Sequence, residues 1–201
     1  MDIIIINDNA HVNGGAGRIG LSGGLALAKH GHQVTVFSAV GPVMPELLAE
    51  KNIQVVCTQQ YEILHDPNRL RAMIQGLWNF HAKQKMEQLL KNLDPKRTII
   101  HIHTWSKALS SSVVQIALQK NFKVVITLHD YLIACPTGTL FNHPKQEICT
   151  LTPMGMECIR ENCDTRNYGH KVWRVSRQVV QVDTPCAKEL GILPSPLQPL
   201  G

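Results

Sequence analysis

Val124-Val125-Ile126-Thr127-Leu128-His129-Asp130-Tyr131 reads as a buried strand that delivers an imidazole and a carboxylate to its carboxyl end. Four apolar runs precede it, at residues 2–7, 33–37, 53–57 and 98–103, and the fifth is expected over 122–128. The first is a continuous isoleucine run, Ile3 to Ile6, as expected of a strand covered on both faces. Helical patterns fill the gaps. One runs to about His30, with Ile19, Leu21, Leu25, Leu27 and Ala28 on its apolar face and Gly31 as its stop. A short one is expected over 42–51. Asp66 then reads as an N-cap with Pro67 in the first helical position. Behind it Leu70, Met73, Ile74 and Leu77, and later Met86, Leu89, Leu90 and Leu93, repeat at helical spacing around a break at Gly76. A last helix is expected over 106–120. Five strands alternating with helices imply an α/β fold: a parallel sheet with right-handed crossovers and helices on both faces.

The chain has 201 residues, 44% of them hydrophobic and 17% charged, the balance of a globular protein long enough for one full α/β core. A formal net charge of +5 permits anionic partners such as phosphates or a membrane surface. No basic run has the density of a nucleic-acid arm, so nucleic acid is not an expected partner. The N-terminal isoleucine run is too short for a secretory signal and lacks a basic flank. No apolar stretch approaches the roughly 20 residues of a membrane span. The expected location is cytoplasmic, or peripheral at the inner membrane face. Six cysteines, at 57, 135, 149, 158, 163 and 186, are then expected as thiols or metal ligands rather than disulfides.

The alternation stops after Asp130. Residues 131–169 carry Pro, Gly, Asn and Cys without periodicity and read as a long loop, a common carrier of function. Residues 170–181 read as a helix with a solvated basic face (Lys171, Arg174, Arg177), a membrane-surface role being the weaker reading. Residues 186–201 are proline-rich and read as disordered.

Ligands of open α/β sheets bind outside the carboxyl ends of the strands, so residues there are candidates. Gly14 and Gly15 lie between the first strand and the first helix, where glycine lets backbone approach a phosphate at a helix N-terminus. A tight turn packing helix on sheet is the plainer alternative. Gly15-Ala16-Gly17-Arg18-Ile19-Gly20 also spells GxGxxG. A nicotinamide site is nevertheless disfavoured, because the motif does not follow the strand directly and no acidic residue ends the second strand. His101 and His103 alternate along one strand and share a face. His103 and His129 arrive at two strand ends. The pair His129 and Asp130 suits acid/base work or a hydrogen bond to a sugar hydroxyl, although strand neighbours face opposite ways and Asp130 is not expected to orient His129. Trp105 and Tyr131 offer stacking faces for a sugar or lipid headgroup, or are simply part-buried. Cys135, Cys149, Cys158 and Cys163 lack the paired CxxC spacing of a zinc site, so free thiols are preferred and no metal is expected. Cys57 and Cys186 read as small buried hydrophobes.

Two stretches carry a resemblance. Asn13-Gly14-Gly15 followed by Leu27-Ala28-Lys29-His30-Gly31-His32-Gln33-Val34-Thr35-Val36 resembles the opening of family 4 glycosyltransferases. Val125-Ile126-Thr127-Leu128-His129-Asp130-Tyr131 with Cys135-Pro136 is similar to their TLHDYW…CP segment, although Leu132 stands where an aromatic is common. The resemblance covers about residues 1–185. It implies the GT-B architecture, in which two Rossmann-like domains face a cleft, and identifies this chain with the N-terminal, acceptor-side domain. It implies a retaining transfer from a nucleotide-sugar donor, the co-substrate, to a saccharide or lipid acceptor, with no cofactor. Gly14 and Gly15 would approach the donor diphosphate. His129, with Asp130, would stand near the reacting centre, and His103, Trp105 and Tyr131 would meet the acceptor. The donor-binding motifs of the second domain have no counterpart within 201 residues. The expectation is therefore a domain inactive alone, completed by a separate donor-binding domain or chain. A single-domain sugar- or phosphate-binding module is the alternative, and a nicotinamide-dependent oxidoreductase a more distant one.

Overall fold

The structure is a computed structural model that describes residues 1–182. It divides into two compact units, Met1–His129 and the chain from Asp130 onward.

The first unit contains β1 (Asp2–Ile6), α1 (Gly14–Lys29), β2 (Gln33–Ser38), α2 (Pro45–Ala49), β3 (Ile53–Cys57), α3 (Arg69–Leu77), α4 (Phe80–Leu90), β4 (Thr98–Ile102), α5 (Ser112–Gln119) and β5 (Lys123–Ile126). All five strands are parallel, in the order β3-β2-β1-β4-β5. The order reverses between β1 and β4. The isoleucine run thus becomes the central strand, with Ile3, Ile4, Ile5 and Ile6 all buried. Ile3 and Ile5 point to one face and pack with Leu21 and Ala28 of α1, Val34 and Val36 of β2 and Leu47 of α2. Ile4 and Ile6 fill the other face. The parallel α/β sheet read from the sequence is the observed one.

Several boundaries differ from expectation for local reasons. Asn68, not Asp66, caps α3: its side-chain oxygen accepts the Arg71 amide at 3.0 Å. Asp66 is drawn into a two-point pair with the Arg71 guanidinium (2.8 and 2.6 Å). The break between α3 and α4 falls at Trp78 and Asn79, and Gly76 is buried within α3. Asn79 caps α4, accepting from the Ala82 amide. Strand β5 is four residues long and lies at the sheet edge, with Val125 half exposed. It is not the strand buried on both faces that its apolar sequence suggests.

The second unit is built on local turns. The amides of Ala134 and Cys135 donate to the Tyr131 carbonyl, and the short strands β6 (Phe141–Asn142) and β7 (Glu147–Ile148) pair antiparallel. Two helices follow, α6 (Met156–Arg160) and α7 (Tyr168–Val182). The basic face of α7 is not solvated as expected. Lys171 is fully buried, Arg174 pairs with the buried carboxylate of Asp164 at 2.9 Å, and Arg177 lies over the Trp173 ring. The proline-rich segment and Cys186 lie outside the described residues.

Candidate functional site

Strand order switches between β1 and β4, and the carboxyl ends of strands at such a switch point are where doubly wound sheets take ligands. The chain beyond β1, residues 7–13, is fixed there by polar side chains. Asp8 is completely buried, and its carboxylate accepts three backbone amides: Lys107 at 3.0 Å, Ala108 at 2.9 Å and Leu109 at 3.0 Å. Burial pushes the Asp8 carboxyl above its usual range, against the pull of those three amides and of the Lys107 charge. The Thr104 hydroxyl donates to Asn7 and accepts the Asp8 amide, both at 2.9 Å. Glu62 gathers Asn9 (2.9 Å), Asn13 (3.0 Å) and His65 (3.1 Å).

That last contact shapes the start of α1. Asn13 occupies the N-cap position, but its amide is turned to Glu62 and makes no capping bond. The first turn also contains no acidic residue. The leading amides of α1 therefore face outward with the positive end of the helix dipole behind them. Gly14 and Gly15 are exposed at this point. Gly14 has φ of +86°, a conformation that favours glycine. No atom lies within 4 Å of a Cβ built on either residue, so the approach to the backbone is open.

Three histidines meet at the carboxyl ends of β4 and β5. The His101 and His103 ring centroids are 4.2 Å apart, on the shared face that their alternation predicts. His103 Nδ1 lies 3.1 Å from His129 Nε2, hydrogen-bonding distance, with the rings stacked at 5.4 Å. His101 Nε2 contacts the Thr127 hydroxyl at 2.8 Å. His103 is buried, and burial, reinforced by His101 and His129, pushes it down from 6.5 to about 4. His101 is lowered for the same reasons, burial first and then His129. His103 is thus neutral near pH 7, and one proton is shared along its bond to His129. His129 is half-buried, and its Nδ1 makes no hydrogen bond among the described residues.

Helix α1 closes over this cluster through Gly20. A Cβ on Gly20 would stand 2.9 Å from His103 Cγ and 3.2 Å from His103 Cβ. The glycine that spells GxGxxG in sequence serves here to seat an imidazole against a helix. Trp105 is 9% exposed, which leaves little of its ring for stacking on a ligand. Asp130 and Tyr131 open the second unit. The Asp130 carboxylate accepts the Leu132 amide at 3.0 Å, and Tyr131 is exposed. An apolar groove of about 450 Å³ runs elsewhere, along α3 and α4, lined by Leu70, Ile74, Trp78 and Phe80 among others. Among the described residues no group of three or more His, Cys, Asp or Glu is arranged to hold a metal ion.

Asn7, Asp8, Thr104 and Glu62 were not singled out from the sequence. A signal existed for Asp8: a carboxylate placed one residue beyond four buried strand residues must find donors at once. Glu62 carried none.

A five-stranded parallel sheet with a glycine-opened helix and paired histidines at its carboxyl edge makes this unit a Rossmann-like α/β domain. Residues 13–148 match the model of Glycosyltransferase Family 4, and the chain belongs to that family. Comparison with curated proteins and with solved structures gave no match. No described helix is long and apolar enough to cross a membrane.

Proposed function

We propose that this chain is the acceptor-side part of a glycosyltransferase that moves a sugar from a nucleotide-sugar donor to a saccharide or lipid acceptor with retention of configuration. Family membership supports the transferase class. The observation that carries the finer reading is the pairing of His129 with a neutral His103 on the sheet edge that also holds the uncapped start of α1.

The roles follow from the geometry. The outward amides at Gly14 and Gly15 suit a diphosphate, which the helix dipole favours at low conformational cost. Each charge-assisted amide bond to phosphate contributes about 1.5–3 kcal/mol. His103 fixes the ring of His129 through Nε2, leaving Nδ1 to meet a sugar hydroxyl. Asp130 and Tyr131 are assigned to the acceptor on resemblance. The donor is a co-substrate, and the reaction needs no further cofactor. A peripheral membrane location would follow from a lipid acceptor.

The test is a binding and transfer assay. Calorimetric titration with UDP, GDP, ADP, their sugar conjugates and NADH should show a nucleoside diphosphate or sugar nucleotide bound in preference to NADH. Radiolabelled sugar nucleotides with a membrane or oligosaccharide extract then test turnover, with and without a co-expressed donor-binding chain. Binding of NADH alone would refute the proposal. Sugar binding with no transfer under either condition would favour the single-domain binding module.

A further inference from the structure

Lys171, near the start of α7, is fully buried, and its nearest partners are sulfur atoms. Its Nζ donates to Cys163 Sγ at 3.1 Å and lies 3.7 Å from Cys158 Sγ. Burying an ammonium is costly unless an anion accompanies it. Among the described residues no carboxylate touches the ammonium: Glu161 bonds Lys145 (3.0 Å) and Asn142 (2.9 Å) and feels the Lys171 charge without contacting it, and Asp164 pairs with Arg174 (2.9 Å). The sulfur of Cys163 is then the group at contact distance that can carry the balancing charge. We propose that Cys163 is held as a thiolate by Lys171, and that Cys158 and Cys163 form a redox modification site whose oxidant is a small hydroperoxide.

The surroundings agree. Burial pulls the Lys171 ammonium down, but its bond to Cys163 and the charges of Cys158, Cys163 and Cys135 outweigh that pull and hold it above its ordinary range. Burial likewise pushes the Cys135 thiol up, yet the Thr137 hydroxyl and the amides of Leu140, Thr137 and Gly138 together bring it below its usual range. Cys158 and Cys163 are only 5% and 4% exposed, which favours a molecule the size of hydrogen peroxide over a bulky aromatic reagent.

The chemistry balances within the site and one hydroperoxide. The Cys163 sulfur attacks the peroxide, an S–O bond forms, and the O–O bond breaks. Lys171 supplies the proton to the departing oxygen, giving alcohol or water. Cys158 sulfur then attacks the sulfenic acid. The S–S bond forms, the S–O bond breaks, and the hydroxyl leaves with the Cys158 proton as water. Two thiols are oxidised to a disulfide, and the peroxide is reduced.

The experiment treats the full chain with hydrogen peroxide, then maps cysteines by differential alkylation and peptide mass analysis. The expected result is a linkage between Cys158 and Cys163 that forms before Cys57 or Cys149, both more exposed, are altered. In Cys158→Ser the reaction should stop at a Cys163 sulfenic acid trapped by dimedone. Lys171→Met should slow the loss of Cys163 by about tenfold or more at neutral pH, and Lys171→Arg should restore most of the rate. Should the methionine variant not fold, the wild-type pH profile decides: the rate stays nearly flat below neutrality for a held thiolate and falls about tenfold per unit for an ordinary thiol. Earlier reaction of Cys57 or Cys149, an unchanged rate in Lys171→Met, or a stoichiometric metal bound through these sulfurs would each overturn the proposal.

Discussion

Replacing Gly20 by alanine should destabilise the protein although it improves the local helix. Alanine is favoured over glycine inside a helix by about 0.5–1 kcal/mol. At Gly20 the new methyl carbon would stand 2.9 Å from His103 Cγ, 3.1 Å from Cδ2 and 3.2 Å from Cβ. These are the near atoms of the side chain, so the ring cannot swing away about a distal bond. Overpacking of this kind costs about 1–3 kcal/mol, leaving a net loss centred on about 1 kcal/mol and reaching about 2.5 kcal/mol. Gly23 on the same helix is the control: it is exposed and a Cβ there meets nothing within 4 Å. Gly23→Ala should therefore gain most of the propensity term, about 0.5–1 kcal/mol. The assay is urea unfolding followed by circular dichroism, with the histidine proton signals as a second readout. Gly20→Ala should also disturb the resonances of His103 and His129, and Gly23→Ala should not. Equal stabilisation by both substitutions would refute the packing of α1 on His103 and with it the placement of the histidine pair.

Three further outcomes are expected. His103 takes a proton more readily unfolded (6.5) than folded (about 4), so stability should be complete above pH 6.5 and decline as pH falls toward 4, by at most about 3 kcal/mol, with His101 adding in the same direction; chemical denaturation across that window checks this, and His103→Asn should flatten the slope. Asp8→Asn places amide hydrogens against backbone N–H groups that now have an acceptor and should cost about 2–3 kcal/mol, read as a lower unfolding midpoint in urea. Gly15→Asp sets a carboxylate where the α1 amides face outward; it should leave folding intact and weaken nucleoside diphosphate binding about tenfold or more by calorimetry, the loss shrinking in high salt.

Much of the architecture was legible because burial on both faces leaves so plain a trace. Ile3 to Ile6 admit hardly any reading but a central strand, and the spacing of the remaining runs fixes the parallel class. Strand β5 misled because Val124, Val125 and Ile126 are apolar whether or not a layer covers them; edge position depends on strand order, which no single segment encodes. The histidines were found by where they end, but their pairing required β4 and β5 to be adjacent in the right register. Gly20 was noticed for the wrong reason, since glycine admits close approach by a ligand and by a neighbouring ring alike. Lys171 sat in a basic pattern that normally means solvent, and only the fold shows that two cysteines, Cys158 and Cys163, receive it.

The central position of the isoleucine strand has a consequence for biogenesis. One flank of β1 joins β2 within the first forty or so residues to be synthesised, but the other waits for β4, whose residues are made much later. At about 5–20 residues per second the nascent chain must carry that open ribbon for several seconds. An unpaired, wholly aliphatic edge invites association with other chains. Protection at the ribosome during that interval, more than the stability of the finished sheet, would then govern how much of this protein reaches its native form.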